Sequence, residues 1–144
     1  MKLRLDVDEL NDDFFEETRI LGITATLKNY QFCMQLNTNL GYDFRLNPEL
    51  EILIRRKDRS YYFSIYQYKE FNSPLTHFLY QNQYDGEYLL PEFKHMDFLW
   101  LMKYDFVDDD KCDWIKQIVR NLSGVQLVAE MTPDQIKNKG NMVF

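Results

Sequence analysis

Two rhythms of apolar and polar residues run along this chain. Leu3, Leu5 and Val7 alternate with Arg4, Asp6 and Asp8, which predicts a short amphipathic strand at the N-terminus. The acidic stretch "DELNDDFFEE" reads as a surface connection, and the β-branched, apolar "RILGITATL" (19–27) as a second strand. The spacing then widens. Leu27, Tyr30, Met34, Asn37 and Leu40 recur every three or four residues, with Cys33 adjoining. That pattern predicts a helix over 28–40 with this stripe turned inward, stopped by Gly41. Asn37, on such an inner face, needs a polar partner or a place at its margin.

Between residues 50 and 104 the period becomes two. "LEILIRRK", "SYYFSIYQYKEF", "LTHFLYQNQ" and "MDFLWLMKY" read as four strands of an antiparallel meander. Asp85-Gly86 marks a turn in the longer connection, which has room for a small extra strand at 87–90. "DDDKCDWIKQIVRNLSG" is the clearest helix: Ile115, Ile118, Val119 and Leu122 share one stripe, the acids Asp108 to Asp110 sit where they favour a helix N-terminus, and Gly124 follows as the stop. "VQLVAEM" is a last strand. Thr132, Pro133 and Gln135 then carry the signature of a short terminal helix start.

The order, ββα, a meander, then αβα, predicts one α+β domain over 1–144, a mostly antiparallel twisted sheet with two main helices on one face. If the strands before and after the second helix are neighbours, they are parallel and joined by a right-handed crossover. Both faces of the sheet read as apolar. Tyr61, Phe63 and Ile65 face one way and Tyr62, Tyr66 and Tyr68 the other; Phe98, Trp100 and Met102 oppose Leu99 and Leu101. Helices cover one face. The terminal segments cover the second, or it is an interaction surface for a protein partner or a second copy, with Tyr62, Tyr66 and Tyr68 as its candidates.

Composition narrows the function classes. Hydrophobic residues make up 45% of the chain and aromatics 16%, enough for a core. The net charge of −6 argues against a nucleic-acid backbone as partner. The one basic cluster, Arg55, Arg56, Lys57 and Arg59, sits between two strand-like runs and reads as a solvated hairpin turn. Cys33 and Cys112 fall inside helical patterns with no paired spacing, so they read as buried free thiols, not as a zinc site. Five glycines form no phosphate loop, and the acidic stretches lack a calcium-loop pattern, so neither cofactor nor metal is expected. No apolar run approaches the roughly 20 residues that span a bilayer, and the start has no signal core, so the expected location is cytoplasmic.

The densest group of candidate chemistry is "LLPEFKHMDF", with Pro91, Glu92, Lys94, His95 and Asp97. Glu92 and Asp97 are five apart. They point to opposite faces of a straight strand and sit about 140° apart on a helix, so a close carboxylate pair needs a bend between them. His95 and Asp97 can share a strand face, but no nucleophile motif accompanies them. Glu92 and Asp97 read first as acceptors of hydrogen bonds from nearby backbone or a cation, fixing how the chain enters the strand "FLWLM". His77 alternates with Leu75 and Leu79 and reads as a satisfied core or rim histidine.

Leu90-Pro91-Glu92, three residues, then Met96-Asp97-Phe98 resembles a Bacteroidetes-type bacterial family of uncharacterised proteins named for its pattern, IPExxxVDY. Pro91, Glu92 and Asp97 match; Leu90, Met96 and Phe98 replace the Ile, Val and Tyr. The resemblance extends to "KLRLDVDE", "GITATLKNYQFCMQLN" and "KNKGNMVF". It implies no activity, no cofactor and no catalytic residue, and no chemistry rests on position 98, which lacks the hydroxyl.

Two functions stay open. The first is a small non-enzymatic protein-binding or adaptor domain, using the aromatic sheet face or a sheet edge, with Pro91, Glu92, His95 and Asp97 as a second candidate surface. The alternative is an enzyme with Glu92, His95 and Asp97 as its polar centre. Nucleic-acid binding through Arg55, Arg56 and Arg59 is a third and poorer fit.

Overall fold

The computed structural model describes residues 2–144, and the side chains of residues 7–144. Helix α1 is Lys2–Phe14, followed by β1 (Arg19–Ala25), α2 (Asn29–Leu40), β2 (Arg45–Leu46), β3 (Ile52–Arg56), β4 (Arg59–Phe63), β5 (Ile65–Lys69), β6 (Thr76–Gln81), β7 (Gln83–Tyr84), β8 (Glu87–Tyr88), β9 (Phe98–Lys103), α3 (Asp109–Arg120) and β10 (Val125–Met131). The main sheet has six strands in the order β10-β1-β9-β6-β5-β2, every pair antiparallel. The α+β class predicted from the sequence is the class observed.

Three local expectations are corrected, and one condition left open by the sequence is not met. The N-terminal strand is the start of α1. Residues 2–14 hold only one β-branched residue, Val7, against six good helix formers, Lys2, Leu3, Arg4, Leu5, Glu9 and Leu10, so a brief alternation does not make a strand. The run 60–71 is two strands: the chain breaks at Ser64, leaving β4 in a hairpin with β3 and β5 in the main sheet. The strands flanking α3 are not neighbours, because β1 lies between β9 and β10 and is antiparallel to both. The terminal helix is a single 3-10 turn, Pro133–Gln135, although Gln135 Oε1 does accept from Thr132 N at 2.9 Å.

The sheet is buried on both sides. On one, Leu21, Ile23, Leu79, Phe98, Trp100 and Met102 pack under Phe32 and Leu36 of α2 and Ile115 and Val119 of α3. On the other, Ile20, Phe78, Tyr80, Leu99 and Leu101 lie beneath Phe15, the β3–β4 hairpin (Tyr61, Phe63), Leu89, Leu90 and Met142. Of the two expectations for the second face, burial under terminal segments is therefore the one observed, with the hairpin as a further cover. The hairpin turns through Lys57 and Asp58, both left-handed (φ 51° and 63°), and Arg56 and Arg59 bridge to Glu87 and Asp85 at 2.7 Å each. The basic cluster is thus partly neutralised against the β7–β8 hairpin.

Candidate functional site

The loop carrying Pro91, Glu92, His95 and Asp97 is built around a residue the sequence reading passed over. Asn82, fully buried, donates from Nδ2 to the carbonyls of Phe93 (3.0 Å) and Met96 (2.8 Å), and its Oδ1 accepts from Leu90 N at 2.9 Å. One side chain thereby satisfies three backbone groups of the motif loop. Pro91 opens a 3-10 turn, Pro91–Phe93, where its missing N–H costs nothing. That turn is the bend the Glu92–Asp97 spacing calls for.

The bend does not bring the acids to one task. Glu92 accepts from Asn138 N (2.7 Å) and Asn138 Nδ2 (2.8 Å), clasping the C-terminal segment. Burial pushes its carboxyl up, and hydrogen bonds from Asn138 and the nearby Glu92 and Lys137 backbone together more than offset this, so it titrates below its ordinary value. Asp97 Oδ2 instead accepts from Ala25 N at 2.8 Å, finishing β1 where its register shifts. His95 contributes its carbonyl, which accepts from Thr24 Oγ1 at 2.6 Å, while the residue is exposed and its ring lies 6.2 Å from that of Phe93. Pro91, Glu92 and Asp97 therefore serve three different elements.

The most site-like polar constellation lies elsewhere. Trp100 Nε1 donates to His77 Nδ1 at 3.0 Å, and His77 Nε2 lies 2.6 Å from Glu70 Oε2. An indole N–H only donates, so Nδ1 is the acceptor nitrogen and Nε2 carries the proton toward Glu70. Burial lowers the His77 pKa, in keeping with this neutral tautomer. Glu70 also accepts from Lys111 Nζ (2.6 Å) and Tyr42 OH (3.3 Å). The His77 hydrogen bond first, and Lys111 with it, hold its carboxyl down at about 2 against the cost of burial. The arrangement looks like two members of a catalytic triad, but Trp100 occupies the nitrogen that a nucleophile would use. It pins α3 to the β5–β6 hairpin. His77 is a satisfied core histidine, as its alternation predicts; Glu70 and Trp100 as its partners were not read, although Glu70 follows directly on β5, the strand that pairs with His77.

The aromatic candidates divide. Tyr62 is exposed on β4, with its ring 6.1 Å from that of Tyr84. Tyr68 stacks on Tyr42 at 4.6 Å, with His77 5.9 Å away, and belongs to the helix-side core. Tyr68 also borders a cleft of about 610 Å³ formed by residues 68–74, whereas Tyr66 joins a groove beside α2. The groove lies between α2 and the β5–β2 edge, has a volume of about 500 Å³, and is lined by Tyr30, Cys33, Met34, Asn37, Thr38, Phe44, Leu46 and Tyr66. A second cleft sharing Tyr30 and Tyr66 continues it past Leu27 to Gln81 and Gln83.

The predicted α2 stripe is thus largely this groove wall. Tyr30 and Met34 are 59% and 64% exposed, and the buried residues of α2 are Phe32, Cys33, Leu36 and Leu40. Asn37 is satisfied at the margin: its Oδ1 accepts from Phe44 N at 2.8 Å and its Nδ2 donates to Phe44 O at 3.2 Å. Cys33 lies at the groove floor, 5% exposed, and burial pushes its thiol up to about 12. It stays protonated at neutral pH and is no nucleophile.

No protein-family model matches the chain, and neither does any curated protein.

Proposed function

We propose that this chain is a non-enzymatic, cytoplasmic protein-binding domain that receives a short apolar segment of another protein along α2. One observation carries the reading. Tyr30 and Met34, one helical turn apart, stand exposed opposite Leu46 and Tyr66 across an open groove whose first section has no charged lining residue. On a molecule of net charge −6, an uncharged groove selects for apolar contact. The backbone polar groups of α2 are bonded within the helix, so anchoring falls to side chains, as in helix-lined peptide grooves. A second copy as occupant, giving a homodimer, is the other outcome of the test.

The enzyme reading draws less support, since Glu92 and Asp97 are both bonded to backbone N–H groups and His77 is closed by Trp100. The likeness to IPExxxVDY proteins belongs to this proposal too. In its terms Pro91, Glu92 and Asp97 match because they build the loop and hold the C-terminal segment.

The test is a displayed random-peptide library selected on the folded protein, with a Met34→Glu variant as the counter-selection. The expected result is enrichment of peptides with two or three apolar anchors that the variant does not retain. Peptides kept equally by the variant, or no enrichment, would overturn the reading.

A further inference from the structure

The opposite feature appears at another part of the molecule, where the β5–β6 and β9–α3 loops meet. Phe71 and Phe106 are the two most exposed large hydrophobic residues among those described, at 87% and 71%. Tyr104, two residues before Phe106, is more than half exposed. Ser73 Oγ donates to Asp105 Oδ2 at 3.2 Å, which ties the two loops together, and Lys111 ties α3 to Glu70, the residue before Phe71. The aromatics therefore share one end of the sheet. Tyr104 adopts a left-handed backbone (φ 78°), a conformation unfavourable for a bulky residue, so the chain holds this loop in place against local preference.

Acids flank Tyr104 and Phe106, and Asp105 reaches the Phe71 loop through Ser73. Asp105, Asp108 and Asp110 are exposed on the same loop and helix start, and Glu17 and Phe106 line one recess of about 260 Å³ with Thr18, Arg19 and Val107. The nearby cations are already paired: Arg19 with Glu130 and with exposed Asp109, Lys111 with Glu70, and Lys103 with the carbonyl of Phe14 beneath the Phe14 and Tyr104 rings. Lys69 is the exposed exception. Asp105 accepts from Ser73 and from Phe106 N, and no cation engages it among the described residues. What remains on the surface is aromatic rings flanked by negative charge.

We propose that this end is a docking surface for a lysine- or arginine-rich segment of another protein. Aromatic faces accept the apolar stems and cationic heads of such side chains, and the flanking carboxylates pair with the charge. A phosphate backbone or an anionic membrane would meet the same acids as repulsion. The site is separate from the α2 groove, and neither reading depends on the other.

The test uses the full chain and a penta-arginine peptide, with penta-glutamate as the control, followed by amide chemical shifts and titration calorimetry. The expected result is that shifts centre on residues 70–74 and 104–110. Affinity should fall about tenfold in a Phe71→Ser, Phe106→Ser double variant, the loss expected for two exposed cation–aromatic contacts. Both rings are exposed, so the variant should fold, and its unchanged amide spectrum elsewhere checks this. Equal affinity of wild type and variant would show attraction to net charge alone and overturn the proposal. Shifts centred elsewhere, or none, would overturn it too. Sedimentation with phosphatidylcholine vesicles, lost in the same variant, would overturn it in favour of a lipid surface.

Discussion

At the scale of single residues, the strongest determinants of this fold are polar groups in apolar places. Asn82→Ala should cost about 2–4 kcal/mol, because Leu90 N–H and two carbonyls lose their partner inside the core. Urea unfolding measures this. Glu92→Ala, which removes an exposed carboxylate from half-buried Asn138, should cost less, about 1 kcal/mol. The Glu70–His77 pair predicts an acid limb in two stages. The unfolded chain takes up a proton on His77 below pH 6.5 that the folded site resists, so stability falls as pH drops through that value. The depressed Glu70 carboxyl stabilises the fold fully above its ordinary 4.5, and this is lost as pH falls toward about 2. The second stage is about 3 kcal/mol at most, and Glu70→Gln should flatten it in a stability-versus-pH series. That Glu92 and Asp97 accept from backbone N–H groups was legible from the sequence, but their partners, and those of Asn82 and Glu70, were not. Asn82 lies at the end of a strand-like run and looks like any turn asparagine. Its role exists only once the 89–96 loop folds back over it.

At the scale of elements, period and punctuation were readable, and facing was less so. Gly41 does stop α2 in the left-handed region (φ 71°), with its N–H bonded to Asn37 O at 3.1 Å. Asp85-Gly86 does turn β7 into β8, and the stretch 87–90 does begin with a short strand. The alternation of Phe98 to Met102 between the two cores is also the one predicted. The α2 face was misread because Tyr30, Met34 and Leu40 match a helical stripe as well as Phe32, Leu36 and Leu40 do. Spacing cannot tell a stripe turned to the core from one turned to a groove. The β3–β4 turn offers a test at this scale. Asp58 adopts φ 63° at the second turn position, where glycine is favoured. Asp58→Gly should raise stability by about 0.5–1 kcal/mol, measurable as a higher urea midpoint at unchanged slope.

At the scale of the molecule, the two-sided apolar sheet is resolved by covering, not by leaving a face open. The C-terminal segment is part of the cover. Tyr80 OH donates to Met142 O at 2.7 Å, Asn141 Nδ2 to Leu89 O at 2.8 Å, and the Phe144 ring packs 4.8 Å from that of Phe78. The α+β class could be anticipated because meander and helices have distinct periods. The cover could not, since residues 137–144 carry no periodicity of their own. With the second face closed, both proposed docking surfaces are local: the α2 groove and the aromatic, acid-flanked end. No helix among the described residues is long and apolar enough to cross a membrane. The central claim, that α2 presents its outer stripe to a partner, is tested most directly by photo-crosslinking in the expressing cell. A benzophenone amino acid would replace Tyr30, Met34 or Leu46 in turn, and Leu53 or Trp114 as comparably exposed apolar controls. The account predicts a discrete adduct with one other protein from the three groove positions and none from the two controls. Adducts from the controls alone, or none from positions 30, 34 and 46, would contradict it.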